Sequence, residues 1–312
     1  MTLTDAVTAT ELKDFINSYY HVAEFADTGA PQGGLGEITA TVSDTTAAKL
    51  ALIPATKNDG VTDRAVVGAF SITMSEDEIT SAALNTLDAK TTVAITLSSS
   101  DPVITGAFTT TSTDVLNKVL ASDGITGIGA VAVKSTDANN TIEEVNFASA
   151  LTTGEVTATV TKANGSSYSL TELAALNDTG NAYTITLSDT GTVDAAAFNV
   201  LNGKTTGVIT SSAAKVSGAL SDLKNLYDAN TAGEVAGLGN EVVSISDTGT
   251  VNAATLNGVN SLTTGVVTAV GVTSITGTLT EIKAAYASGT AGTISGLGNE
   301  AISIADLGTV VT

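Results

Sequence analysis

The chain has 312 residues, 43% of them hydrophobic, enough apolar material for a sizeable core and too much for a disordered chain. Its 32 acidic against 12 basic residues give a formal net charge of -20, so phosphate backbones and anionic lipid headgroups are repelled, and neither nucleic-acid binding nor membrane insertion is expected. Cysteine is absent, which removes disulfides, thiolate metal sites and cysteine nucleophiles.

Residues 1–36 differ from the rest. The opening MTLTDAVTATELKDFIN lacks a basic segment followed by an apolar run and does not read as a signal peptide. No stretch of the chain approaches the ~20 apolar residues of a membrane span. Phe15, Tyr19, Tyr20, His21 and Phe25 crowd into one short window, and Leu12, Phe15 and Tyr19 are spaced as on one helix face. This predicts a terminal helix that covers the exposed edge of a layered array. The alternative use of these aromatics is a ligand or partner surface. DTGAPQGGLGE, at 27–37, is a link into the first repeat.

From residue 37 onward the chain repeats itself. Residues 37–182 hold divergent copies, among them TVSDTTAAKL at 41–50, AALNTLDAKTT at 82–92, ALTTGEVTA at 150–158 and SLTELAAL at 169–176. Residues 183–312 hold regular copies of about 59 residues, the last of them incomplete. Asp189, Asp247 and Asp306 mark the period, as do Tyr227 with Tyr286 and the GLGNE segments that end at Glu241 and Glu300. A period of this length means units that bury their apolar faces against one another.

Within one unit, VVSIS at 242–246 predicts a half-buried strand with Ile245 inward, and Asp247 opens a turn. Ala253, Leu256 and Val259, like Ala195, Phe198 and Leu201, predict one face of a short helix. TTGVVTAV predicts a second strand. A second helix begins at the capping boxes Thr278–Glu281 and Ser169–Glu172, buries Leu279, Ile282 and Tyr286, and stops at Gly289. Each unit is therefore expected to be strand–helix–strand–helix. Stacked units predict a right-handed β/α solenoid with a parallel sheet and short covering helices. The competing arrangement is an all-β solenoid or β-sandwich array, which the richness in Thr and Ser keeps open.

Catalytic signatures are sparse. His21 has no partner motif, no G-x-S-x-G elbow occurs, and GGLGEITAT at 33–41 carries Ile38 where a calcium β-roll needs aspartate. No enzyme is expected. Asp189, Asp247, Asp306, Glu241 and Glu300 recur at strand ends, where stacked carboxylates can bind calcium. The competing role for the aspartates is to satisfy backbone N–H groups in the turn before a helix. Asn85, Asn199 and Asn257 recur in helix interiors, which suggests hydrogen bonding between adjacent units.

The pattern SDTGTV, AA, LN, TTG, EIKAAYAS and GLGNE resembles tandem repeats in very large secreted surface proteins of marine cyanobacteria and related bacteria. Such chains are grouped with type I-secreted adhesins and motility-associated surface proteins. The resemblance is best over 183–312 and absent from the N-terminal window. It implies an extracellular, cell-surface, structural or adhesive role and carries over no catalytic residue. On this reading the chain self-associates head to tail. Phe15, Tyr19, Tyr20 and Phe25 would meet Ile302, Ile304 and Val310 of the next copy. The alternative is a glycan- or receptor-binding adhesin or phage-fibre segment that uses the N-terminal aromatics.

Overall fold

The computed structural model describes residues 2–25, 38–54, 56–58, 63–65 and 68–305. The protein is α/β, built from short strands and short helices. The strand pairs described are parallel, apart from Thr56–Asn58 against Asp63–Ala65. The chain forms two compact units, one of residues 1–138 and 143–158, the other of residues 139–142 and 159–312.

The first unit holds helices α1 (Ala9–Phe25), α2 (Ala47–Leu50), α3 (Ser81–Asp88), α4 (Val115–Leu120) and all but the first residue of α5 (Ile142–Ser149). Strands Glu78–Thr80, Val103–Gly106, Ala132–Ser135 and Val156–Val160 pair successively in parallel. Among the described side chains of α1, Ala9, Leu12 and Ile16 are buried, each 0% exposed, whereas Phe15, expected on the same face as Leu12, is half-buried. Three- and four-residue steps from Leu12 both stay near one helix face, so the neighbouring segments decide which pair is covered.

The second unit holds α6 (Leu170–Leu173), α7 (Ala195–Asn202), α8 (Leu220–Ala232), α9 (Ala253–Leu262) and α10 (Leu279–Ala291). Its strands form three parallel sets. Ala182–Thr186, Ile209–Thr210 and Val235–Ala236 pair in that order. So do Thr192–Asp194, Lys215–Gly218, Val242–Ile245, Val267–Thr268 and Ile294–Ser295. The third set is Thr250–Asn252, Ser274–Gly277 and Ala301–Ile304.

Two short strands, not one, therefore precede each of α7, α8 and α10, and three precede α9. Thr250 and Val251, between the expected turn at Asp247 and the expected helix at Ala253, are β-branched and extend as a second strand. That strand ends at Asn252, whose Oδ1 accepts the Thr255 N–H and starts α9. Val242–Ile245 pairs with Lys215–Gly218 on one edge and Val267–Thr268 on the other, so each repeat steps sideways onto the next strand set.

The helix faces follow the expected spacing. Ala195, Phe198 and Leu201, and Ala253, Leu256 and Val259, are buried. Both capping boxes form. α10 does not stop at Gly289 but continues to Ala291, and Gly292 takes the left-handed conformation at φ 80. A glycine inside the last turn costs the helix only about 1 kcal/mol, so Gly292, able to accept positive φ, sets the end. Leu279 is 50% exposed, whereas its counterpart Leu220 is 5% exposed.

The recurring Thr-Thr-Gly turns join successive passes of the chain. Thr205 Oγ1 accepts the Tyr183 N–H at 2.7 Å, donates to main-chain oxygens of the preceding pass, and also accepts the Gly207 N–H. Thr263 Oγ1 donates to the Glu241 carbonyl at 3.0 Å and accepts the Gly265 N–H at 3.0 Å. Thr152 and Gly154 do the same against Val131. The hydroxyl completes a main-chain ladder that the turn interrupts. The glycine is needed because a Cβ there would lie under 3.0 Å from the carbonyl beneath it.

Candidate functional site

Asp189 and Asp247, two of the recurring aspartates, cap helices of the preceding pass. Asp189 Oδ2 accepts the Leu170 N–H at 2.7 Å, and Asp247 Oδ2 accepts the Leu220 N–H at 2.7 Å. Leu170 and Leu220 are the first residues of α6 and α8, where an N–H has no intrahelical acceptor. Ala219, at the N-cap of α8, has no acceptor side chain, so Asp247 supplies it from the next pass. Asp44 accepts the N–H of Ala9, the first residue of α1, at 2.8 Å in the same manner, and Asp137 accepts the Phe108 N–H at 3.0 Å in the segment between Val103–Gly106 and α4. The hydrogen bond from Ala9 holds the Asp44 carboxyl below its ordinary range. Asp247→Ala is expected to lower stability by about 1 kcal/mol, and Asp247→Asn, which keeps an acceptor oxygen, by less. Thermal melts of the two variants check this; equal losses would assign the effect to charge instead of the cap.

Glu241 and Glu300 are buried, 2% and 8% exposed. Glu241 Oε1 accepts a hydrogen bond from the Tyr227 hydroxyl, and Oε2 accepts the N–H groups of Gly239 and Asn240 at 2.8 and 3.1 Å. Glu300 repeats this with the Tyr286 hydroxyl at 2.7 Å and the Gly298 N–H at 2.9 Å. Burial, then the facing carboxylate, pushes the Tyr227 hydroxyl pKa upward and that of Tyr286 up to about 12. At Glu300 burial acts upward but is outweighed by the hydrogen bonds from Tyr286 and the loop N–H groups, and its pKa is lowered. The GLGNE segment is thus a loop wrapped on its own carboxylate.

The four calcium candidates among the described residues are not drawn together. All four are engaged with protein donors as described, and Asp306 lies outside the described residues. Among the described residues there is no group of three or more His, Asp or Glu that could hold a metal ion. Of the interface candidates, Ile302 is 52% exposed and Ile304 is half-buried in the Ala301–Ile304 strand. Tyr19, Tyr20 and Phe25 fall in the later part of α1, where the description covers the backbone alone, and Val310 lies outside the described residues. Asn199 and Asn257 do bond across the helix layer. Their Nδ2 groups donate to the Asp222 and Glu281 carbonyls at 2.9 Å, so they contact main chain instead of one another.

Two lysines close helix ends in the same way, which residue spacing alone does not signal. Lys204 Nζ donates to the carbonyls of Ala174 and Leu176 just past α6, and Lys90 Nζ to the Ala51 carbonyl just past α2 at 3.1 Å. Burial lowers the Lys90 pKa. Both lysines precede a Thr-Thr pair, and both serve helices of only 4 residues. Because α6 is so short, a groove of about 550 Å³ opens between it and α7. Leu170, Leu173, Val193, Val200 and Leu201 form its apolar part, and Asp189, Asp194 and Lys204 its charged part.

No protein-family model, curated protein or solved structure matches the chain.

Proposed function

We propose that the second unit is a right-handed β/α solenoid. We propose further that the chain is a non-enzymatic structural module of an extracellular surface layer, filament or adhesin. The observation that carries this reading is where the repeated polar groups go. Asp247, Thr263, Asn257 and Glu241 bond to main chain or to a buried tyrosine, and the period is spent on stacking one pass against the next. Right-handedness rests on parallel pairing between successive passes, a connection that is right-handed in about 98% of cases. An acidic surface with a net charge of -20 suits a divalent-rich exterior and keeps single copies soluble.

Head-to-tail self-association belongs to the same proposal. Ile302 and Leu279 are 52% and 50% exposed, apolar side chains that a second copy would cover. Sedimentation and electron microscopy over a range of concentrations, with and without calcium, test it. Fibres or ordered sheets that Ile302→Lys abolishes are the expected result. A species that stays monomeric at every concentration in both conditions overturns self-association and leaves the solenoid standing.

A further inference from the structure

The helix layer of the second unit has a gap that no other described residue fills. α6 has 4 residues, whereas α8 and α10, which follow corresponding strands, have 13 each. Asp189 bonds the first N–H of α6 and Asp194 caps α7 by accepting the Ala197 N–H, so both helices start at the same end of the groove. Lys204, two residues beyond α7, reaches the carbonyls that end α6. The two helices therefore run the same way, with carboxylates at the groove's N-terminal end and an ammonium at its C-terminal end. Val200, on the groove-facing side of α7, is 63% exposed.

The next repeat shows what occupies the equivalent place. There Gly258 of α9 stands where α7 has Val200, and the stem of Lys224 from α8 lies against it, its Cε 3.1 Å from where a Cβ would be. At the C-cap of α6 the residue matching Lys224 is Ala174, whose side chain is too short to reach across the groove. From this we infer that the groove is a docking site for a short amphipathic helix of another protein. Its occupant has one apolar face and a Lys or Arg whose stem lies over Val200. Laid in the direction of its neighbours, such a helix sets its positive N-terminal end against Asp189 and Asp194 and its carbonyl end toward Lys204. Its basic side chains answer the carboxylates and the acidic surface around them. The corresponding site beside α2, lined by Ala47, Ala51, Ala82, Ala83, Thr86 and Leu87, has about 240 Å³ and Thr86 in the place of Val200. It offers less room and less apolar floor.

A labelled peptide of residues 219–233, carrying Asp222→Lys and Asp228→Lys, is the probe. Fluorescence anisotropy against the full chain should show saturable binding. Val200→Lys and, separately, Ala197→Lys, which set like charge against the basic probe, should weaken it at least tenfold, with circular dichroism and melting temperature unchanged because both positions are exposed. Thr86→Lys should leave binding unaltered. No saturable binding, or binding that Val200→Lys does not change, overturns the assignment. Concentration-dependent self-association of the chain that Val200→Lys abolishes would make the occupant a second copy, and overturns it too.

Discussion

Gly265→Val is expected to lower stability by about 3 kcal/mol or more and the melting temperature by roughly 10 °C. A Cβ at this position would lie under 3.0 Å from the Glu241 carbonyl oxygen and 3.1 Å from the Val242 nitrogen, both main-chain atoms of the preceding pass. No rotamer relieves such a clash; two parallel passes must part, and Val243↔Val267 pairing goes with them. Gly258→Ala serves as the opposite control. Its Cβ would meet only the flexible end of Lys224, and removing glycine from the interior of α9 should add about 0.5–1 kcal/mol. Thermal and urea melts of both variants are the measurement. A Gly265→Val protein as stable as the parent would show that adjacent passes are not packed main chain on main chain.

Tyr227→Phe should cost about 2 kcal/mol, because it strips a donor from a carboxylate that is 2% exposed while leaving the ring's packing intact. Tyr286→Phe should cost less, since Tyr286 is only half-buried. The paired carboxylate also gives acid sensitivity with a defined sign. The folded pKa of Glu300 lies below its ordinary value of 4.5, so its ionised form contributes stability above about pH 4.5. That contribution is lost as pH falls through the lowered folded value. At the alkaline end, Tyr286 contributes below pH 10 and loses its contribution as pH rises toward about 12. Glu300→Gln should therefore flatten the acid limb of a stability-against-pH curve. An acid limb identical to the parent's would rule out this carboxylate as its source.

Much of the second unit was legible in advance because its signals are local. Ala253, Leu256 and Val259 share a face by spacing alone, and Thr278 with Glu281 can cap only the helix that starts between them. Strands were harder to read. Segments such as Val267–Thr268 are too short to show a two-residue alternation, and Thr250–Asn252 looks like the end of a turn until its partner is in place. The groove beside α7 left no local mark. It follows from helix length: α6 ends at Leu173, and Asn177, in the place of Tyr227, already lies in the segment that leads to the next strand.

The sequence by itself determined the period, the buried faces of α7 and α9, both capping boxes and the absence of cysteine chemistry, since each depends on residues a few positions apart. Only the tertiary structure decided that Asp247 serves α8 instead of its own turn, that Glu241 folds onto Tyr227, and that each repeat steps sideways to a new strand set. The physical reason is that these outcomes turn on main-chain N–H and C=O groups, which every residue type carries alike. A carboxylate's position can be read from residue letters; the N–H it will meet, one pass of the chain away, cannot.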